Sequence, residues 1–306
     1  MVKKWFLALR PYSFTASIIP AVLGGVIALS VRSSGQVQFE FSVPSFGLCI
    51  LGCVAIHSVS NLINDYYDFK SGLDNIENFG AVNPLVQGSL TPKEMMTGAI
   101  VSFAVAAAIG IYFIIEAGDK ASVLIYLVVI GAVSAFFYTA PPLSLKYRGF
   151  GDVQVILSFA VLMVTGAYYV QTKSFSWLPV LYSLPIGLLV DDILHINNLR
   201  DIPADAKAKI STLAIWLGED GAKKFHYVLT YGAYLILAAL ILFAKLTPFT
   251  LLTLLSLPVA LKLAKEVSAL KQPDVDPMIV ARAAGLHAQF GVLMILGLIA
   301  GIFIRF

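Results

Sequence analysis

Charge is what this sequence has least of. Asp, Glu, Lys and Arg make up only 13% of the 306 residues, against about a quarter in an ordinary soluble domain. With 58% hydrophobic residues and a mean hydropathy of +0.85, that scarcity excludes a disordered chain and a coiled coil. Cysteine is nearly missing. Cys49 and Cys53 are the only two, too few for a disulfide scaffold. Four residues apart on a helix they cannot bridge each other, so they read as buried packing thiols. Runs of basic residues are missing too, and a net charge of +3 gives no reason to expect nucleic acid as a partner.

What is present is apolar sequence in long uncharged stretches. They are Pro11–Val31, Phe41–Asn64, Met95–Ile115, Ala121–Leu145, Val153–Thr172, Ser174–Val190, Phe225–Ala244, Leu246–Leu261 and Ala283–Ile304. They run from 16 to 25 residues, close to the roughly 17–25 that a membrane-spanning helix needs. The chain therefore reads as all-α, a single domain over 1–306 built as a bundle of nine transmembrane helices. The first stretch is long for a secretory signal and is kept as a helix. The two shortest are Ser174–Val190, expected to run on past Asp191, and Leu246–Leu261, whose flanking Lys245 and Lys262 can snorkel. With the N-terminus inside, 16 of the 21 basic residues fall on the inner side, leaving Arg32, Lys120, Lys173, Lys245 and Arg305 outside. The positive-inside rule then places the N-terminus in the cytoplasm. Of the 18 acids, 15 fall on that same side, which the rule does not explain.

The inner connections are long and alike. Asn61-Leu-Ile-Asn64-Asp65-Tyr-Tyr-Asp68 closes the second stretch, and Asn197-Asn198-Leu-Arg200-Asp201-Ile-Pro203-Ala-Asp205 closes the sixth. This resembles a weak internal duplication, with one motif at 61–74 and the other at 197–209. At about 100° per residue, Asn61, Asn64, Asp65 and Asp68 share one arc of a helix, as do Asn197 and Asp201. Pro203 is expected to end that helix and set Asp205 in a new segment. Four carboxylates at two helix ends repel one another and are costly at a membrane. Divalent cations resolve this. Mg²⁺ takes hard oxygen ligands, usually one or two carboxylates together with substrate phosphates. Two acid pairs beside Lys and Arg therefore point to a Mg²⁺-diphosphate.

These motifs resemble the UbiA superfamily of intramembrane prenyltransferases. Supporting elements are Arg10-Pro11, Asn83-Pro-Leu-Val-Gln-Gly88, Tyr138-Thr-Ala-Pro-Pro-Leu-Ser-Leu-Lys146 and Gly149-Phe-Gly-Asp152. The stretch Asn64 to Gly72 and Asn197-Asn198-Leu-Arg200-Asp201 are most similar to the 1,4-dihydroxy-2-naphthoate branch, which serves menaquinone synthesis. The chain departs from the pattern at Gly72, where many members carry a third aspartate, so that the next acid is Asp74. It departs also at Asn83, where many have Arg, and at Asp191-Asp192, where apolar residues are expected.

The resemblance implies a polyprenyl diphosphate donor, a small aromatic acceptor, Mg²⁺ as cofactor and the lipid bilayer as surroundings. It implies Asn64, Asp65, Asp68, Asn197, Asp201 and Asp205 as the metal site. Arg10, Lys70, Lys146, Asn198, Arg200 and Tyr138 are implied as further donor contacts, with Asp68 and Asp201 as the central catalytic acids. Asp191 is a candidate for taking a proton from the acceptor ring or orienting it; the alternative is an acid that ties helices together. Other readings are the same chemistry on 4-hydroxybenzoate or a glycerol phosphate, or a cation transporter. Transporter sites usually lie near the midplane, away from where these motifs fall. Cys49, Cys53 and His57 share a helix face, which reads as packing rather than a soft-metal site, with His57 one turn above Asn61 and expected at a cavity.

Overall fold

Helix formation follows the apolar stretches closely. The computed structural model describes residues 2–77, 83–272, 275–276 and 278–304, so Arg305 lies outside the described residues. It is 81% helix, and among the described residues the only β contact is an isolated bridge between Arg148 and Ser211. A short surface helix α1 (Val2–Leu9) precedes α2 (Thr15–Ser33), α3 (Val43–Ser71), α4 (Pro92–Ala117) and α5 (Ser122–Phe137). One continuous span follows, made of α6 (Gly151–Val155), a π segment over Ile156–Leu162 and α7 (Met163–Thr172). Then come α8 (Trp177–Lys207), α9 (Leu213–Phe243), a 3₁₀ segment over Pro248–Ser256 that runs into α10 (Leu257–Ala269), and α11 (Ile279–Phe303). Eight of these elements are long and apolar enough to cross a membrane, and α5 is a shorter apolar helix.

Three expectations change. Helix α5 is only 16 residues long, shorter than the eight candidate spans, although its uncharged stretch ran to Leu145. Pro141 and Pro142 cannot continue it, and the chain instead leaves the bundle as the loop that delivers Tyr138 and Lys146. Pro203 does not break α8, which runs on to Lys207. The proline leaves the Leu199 carbonyl without its helical donor, and Gln272 Nε2 donates to that oxygen at 2.6 Å. The long second connection shrinks accordingly to the residues between Lys207 and Leu213, with Thr212 capping α9 through Ile215 N at 3.3 Å. The stretch at Leu246–Leu261 reaches far enough because 9 of its residues, Pro248–Ser256, are 3₁₀, which rises about 2.0 Å per residue.

The core lies where α2, α7, α8, α9 and α11 meet, around Leu23, Ile27, Tyr168, Ile186, Leu237 and Phe290. Backbones approach closely there. A Cβ on Gly24 would lie 2.3 Å from the Val164 carbonyl, so only glycine fits, as in small-residue packing between membrane helices. The outer faces show Ile115, Leu235, Leu242 and Phe243, all exposed, as a lipid-facing surface requires. Helices α3, α4, α5 and the π segment pack less completely, and a chamber remains between them and α8.

Candidate active site

The last two turns of α3 carry the first acid cluster, and Gly72 ends the helix in the left-handed conformation, with φ of 77°. Asp68 is the hub. Its Oδ2 accepts from Lys146 Nζ at 2.7 Å and Asn64 Nδ2 at 2.8 Å, and its Oδ1 from Tyr147 OH at 2.6 Å. Lys146 also donates to Asn64 Oδ1 at 2.9 Å, and Thr139 donates to the same oxygen at 3.3 Å. Lys146 and Tyr147 arrive on a single 3₁₀ turn, Leu145–Tyr147. Burial lowers the Lys146 pKa, but Asp68, by charge and hydrogen bond, together with the charges of Asp74 and Asp205, outweighs it, so the ammonium persists. Burial and Asp68 both push the Tyr147 phenol up, which keeps it a donor.

Asp65 lies behind this hub, fully buried. Its Oδ1 accepts from Arg10 Nη2 in an ion pair, and its backbone carbonyl accepts from Asn83 Nδ2 at 2.9 Å. Asn83 also donates to Asp74 Oδ2 at 2.8 Å. Burial and then Asp68 raise the Asp74 pKa, with Asn83 opposing them. Arg10 itself sits in the left-handed conformation at the joint between α1 and α2, with φ of 51°.

The second cluster is built almost within one turn of α8. Arg200 grips Asp201 through two bonds, Nε to Oδ1 and Nη2 to Oδ2, both 2.8 Å, and its Nη2 also donates to Asn197 Oδ1 at 2.9 Å. Asn197 Nδ2 donates to Asp201 Oδ2 at 3.1 Å. Asp205 follows one turn on, inside the uninterrupted helix.

Both clusters face one chamber of about 780 Å³. Ten of the residues expected from the sequence line it: Arg10, Asn64, Asp68, Tyr138, Lys146, Asn197, Asn198, Arg200, Asp201 and Asp205. Asp65, Lys70 and Asp191 do not. Asp65 holds Arg10 in place instead. Lys70 is exposed and lies over the Tyr66 ring, 5.9 Å from its centroid. Asp191 is buried with neither carboxylate oxygen bonded, and its i+4 neighbour His195 turns to Asp152, at 3.4 Å, and to the Ala222 carbonyl, at 2.9 Å. Its neighbour Asp192 ties α8 to α9 through His226 Nδ1 at 2.7 Å and Thr230 Oγ1 at 3.1 Å. Sequence reasoning missed the parts played by Asp74, Asn83 and Tyr147; the first two were visible only as departures from a pattern.

Along α3 the chamber runs from Asp68 down to Cys49, nearly 30 Å at about 1.5 Å per residue. Below the acids its wall turns to hydrocarbon, with Phe103, Phe113, Leu124, Val128 and Leu162. The donor set at the mouth is hard: carboxylates and amide oxygens, with ammonium and guanidinium beside them. Among the described residues no three His, Cys, Asp or Glu side chains form a closed metal cage. Open carboxylate pairs of this kind suit a cation that keeps water and takes phosphate oxygens as its remaining ligands.

Comparison with known proteins agrees with this arrangement. The model of the UbiA prenyltransferase family matches residues 17–286. The chain is 32% identical over 297 residues to UbiA prenyltransferase domain-containing protein 1 of Xenopus tropicalis, covering 96% of this chain and 81% of that protein. It is 29% identical over 294 residues to the 1,4-dihydroxy-2-naphthoate octaprenyltransferase of Bacillus subtilis, covering 96% and 91%. The fold matches a UbiA homolog from Archaeoglobus fulgidus, solved bound to GPP and Mg²⁺, with a TM-score of 0.68 at 17% identity, covering 98% and 100%. The chain therefore belongs to the UbiA prenyltransferase family and is a multi-pass membrane enzyme that transfers prenyl groups.

Proposed function

We propose that this chain transfers a polyprenyl group from its diphosphate to an aromatic acceptor of the 1,4-dihydroxy-2-naphthoate type, in menaquinone-type synthesis, with Mg²⁺ at a mouth that faces the cytoplasm. One observation carries the reading: two Asn/Asp clusters, 133 residues apart in sequence from Asp68 to Asp201, meet at the polar mouth of one hydrocarbon-lined chamber. The naphthoate enzyme among the relatives and the bias of Lys and Arg toward the motif side support the acceptor and the orientation.

Each part has a physical task. Asp68, Asp201 and Asp205, with Asn64 and Asn197, supply the hard oxygens that would hold Mg²⁺. When bound, the ion neutralises charge that builds on the departing diphosphate. Lys146, Arg200 and Arg10 stand where diphosphate oxygens would lie, and Arg200 exchanges its carboxylate partner for phosphate without entering a new environment. Such contacts strengthen as the C–O bond breaks, so they favour the transition state over the bound donor. The apolar shaft takes the tail at about 0.8 kcal/mol per buried CH₂, and it keeps water from the allylic cation.

The test is transfer itself. Purified protein in lipid nanodiscs, given radiolabelled geranylgeranyl diphosphate and Mg²⁺, should prenylate 1,4-dihydroxy-2-naphthoate faster than 4-hydroxybenzoate. Transfer to 4-hydroxybenzoate or to a glycerol phosphate alone would overturn the acceptor, and transfer to none would overturn the reaction.

A further inference from the structure

The chamber wall holds one base that the diphosphate end does not use. His57 stands on α3, one turn from Asn61 and two turns from Asn64 on the same face, about 10 Å along the axis from Asn64. Here the polar mouth gives way to the apolar shaft. Its ring meets Phe14 and Phe159 edge to face, with centroids 5.5 and 4.7 Å away. A flat, apolar-sided group with one polar edge fits such a place.

The hydrogen bonds around the ring leave one nitrogen open. Nδ1 is 2.8 Å from Ser17 Oγ, and Nε2 is 3.4 Å from Ser13 Oγ. Ser13 donates its single hydroxyl proton to the Arg10 carbonyl at 2.8 Å and accepts from Asn61 Nδ2 at 3.4 Å, so it has no proton for Nε2. Ser17 has an outlet for its own proton in the Phe14 carbonyl at 3.3 Å, which lets it accept from Nδ1–H. Ser13 lines the chamber and Ser17 does not, so the Nε2 edge is the one on the chamber side. With Nδ1 protonated, Nε2 keeps its lone pair there.

We propose that His57 forms the acceptor-ring subsite and that Nε2 takes the proton of the acceptor's ring hydroxyl. The inference rests on the prenyl-transfer reading above and adds its proton acceptor. As the donor C–O bond breaks, its electron pair leaves with the diphosphate. The ring's electron pair forms the new C–C bond to the prenyl carbon, and the hydroxyl proton passes to Nε2. The substituted ring carbon then loses its own proton to solvent, and His57 returns the first proton to the ring oxygen. One proton is released in all.

The experiment uses the full chain with geranyl diphosphate, Mg²⁺ and either 1,4-dihydroxy-2-naphthoate or the same acceptor with its hydroxyls methylated. His57→Ala should lower kcat on the hydroxylated acceptor about 100-fold or more while leaving the KM for geranyl diphosphate unchanged. His57→Gln keeps a hydrogen-bonding side chain of similar size without a basic nitrogen and should show the same loss. On the methylated acceptor, wild type should fall to the level of the variants, and the variants should lose nothing further, because the two changes remove one interaction. Ser17→Ala, which frees Nδ1, should lower kcat by about 10-fold at unchanged donor KM. Wild-type kcat in His57→Gln or Ser17→Ala, a rise in donor KM, or equal losses on both acceptors would overturn the proposal. Wild type inert toward every hydroxylated ring would instead sink the underlying reading, before any variant is made.

Discussion

The two acid clusters look alike in sequence and are built in opposite ways. The first is assembled from afar: Asp68 gathers Lys146 and Tyr147 from a loop nearly 80 residues on, and Asp65 anchors Arg10 from the joint before α2. The second is built locally, the side chains of Asn197, Arg200 and Asp201 bonding one another within one turn of α8. A cluster assembled from separate elements is part of the fold and is rigid only when all its members are present. A cluster built within one turn costs the fold little and can open to exchange Arg200's carboxylate for a phosphate. The same motif thus serves as a fixed wall on one side of the mouth and an adjustable one on the other.

That contrast can be broken by substitution. Asp68→Ala should abolish transfer, by about a thousandfold or more. It should also lower stability by about 3–5 kcal/mol, because Lys146 is left buried and unpaired; thermal unfolding in detergent reads the second effect. Asp201→Ala should abolish transfer equally but destabilise less than Asp68→Ala, since Arg200 keeps Asn197 Oδ1 and Asp201 bonds only groups of its own turn, whereas Asp68 also anchors Lys146 and Tyr147. Equal destabilisation by the two would remove the distinction. Lys146→Met should reduce kcat about 100-fold and destabilise less than Asp68→Ala, because Asp68 keeps Asn64 and Tyr147. Asp192→Ala should cost about 1–3 kcal/mol through the stranded His226 and Thr230, with KM for the donor unchanged. Lys70→Ala should be smallest, within about 0.5 kcal/mol in stability and correspondingly small in rate; a large rise in donor KM would bring Lys70 back to the site.

The bundle was legible because hydrocarbon surroundings leave a chain few choices: uncharged stretches of sufficient length become helices. The clusters were legible because i, i+4 spacing places Asn64 with Asp68 and Asn197 with Asp201 before any contact is known. What was hidden depended on distant partners. Nothing near Pro203 announces that Gln272 will supply the missing donor and keep Asp205 on the helix. Nothing near Asp65 shows that Arg10 will turn it away from the chamber. Asp191 and Asp192 are adjacent and chemically identical, yet only Asp192 meets partners on α9.

The central claim is that both clusters hold one diphosphate through a shared cation. Calorimetric binding of geranyl diphosphate to the purified protein, with and without Mg²⁺, tests it most directly. The account predicts Mg²⁺-dependent binding in wild type and its loss in Asp68→Ala and in Asp201→Ala alike. Full-strength binding in either variant, or binding indifferent to Mg²⁺, would contradict it.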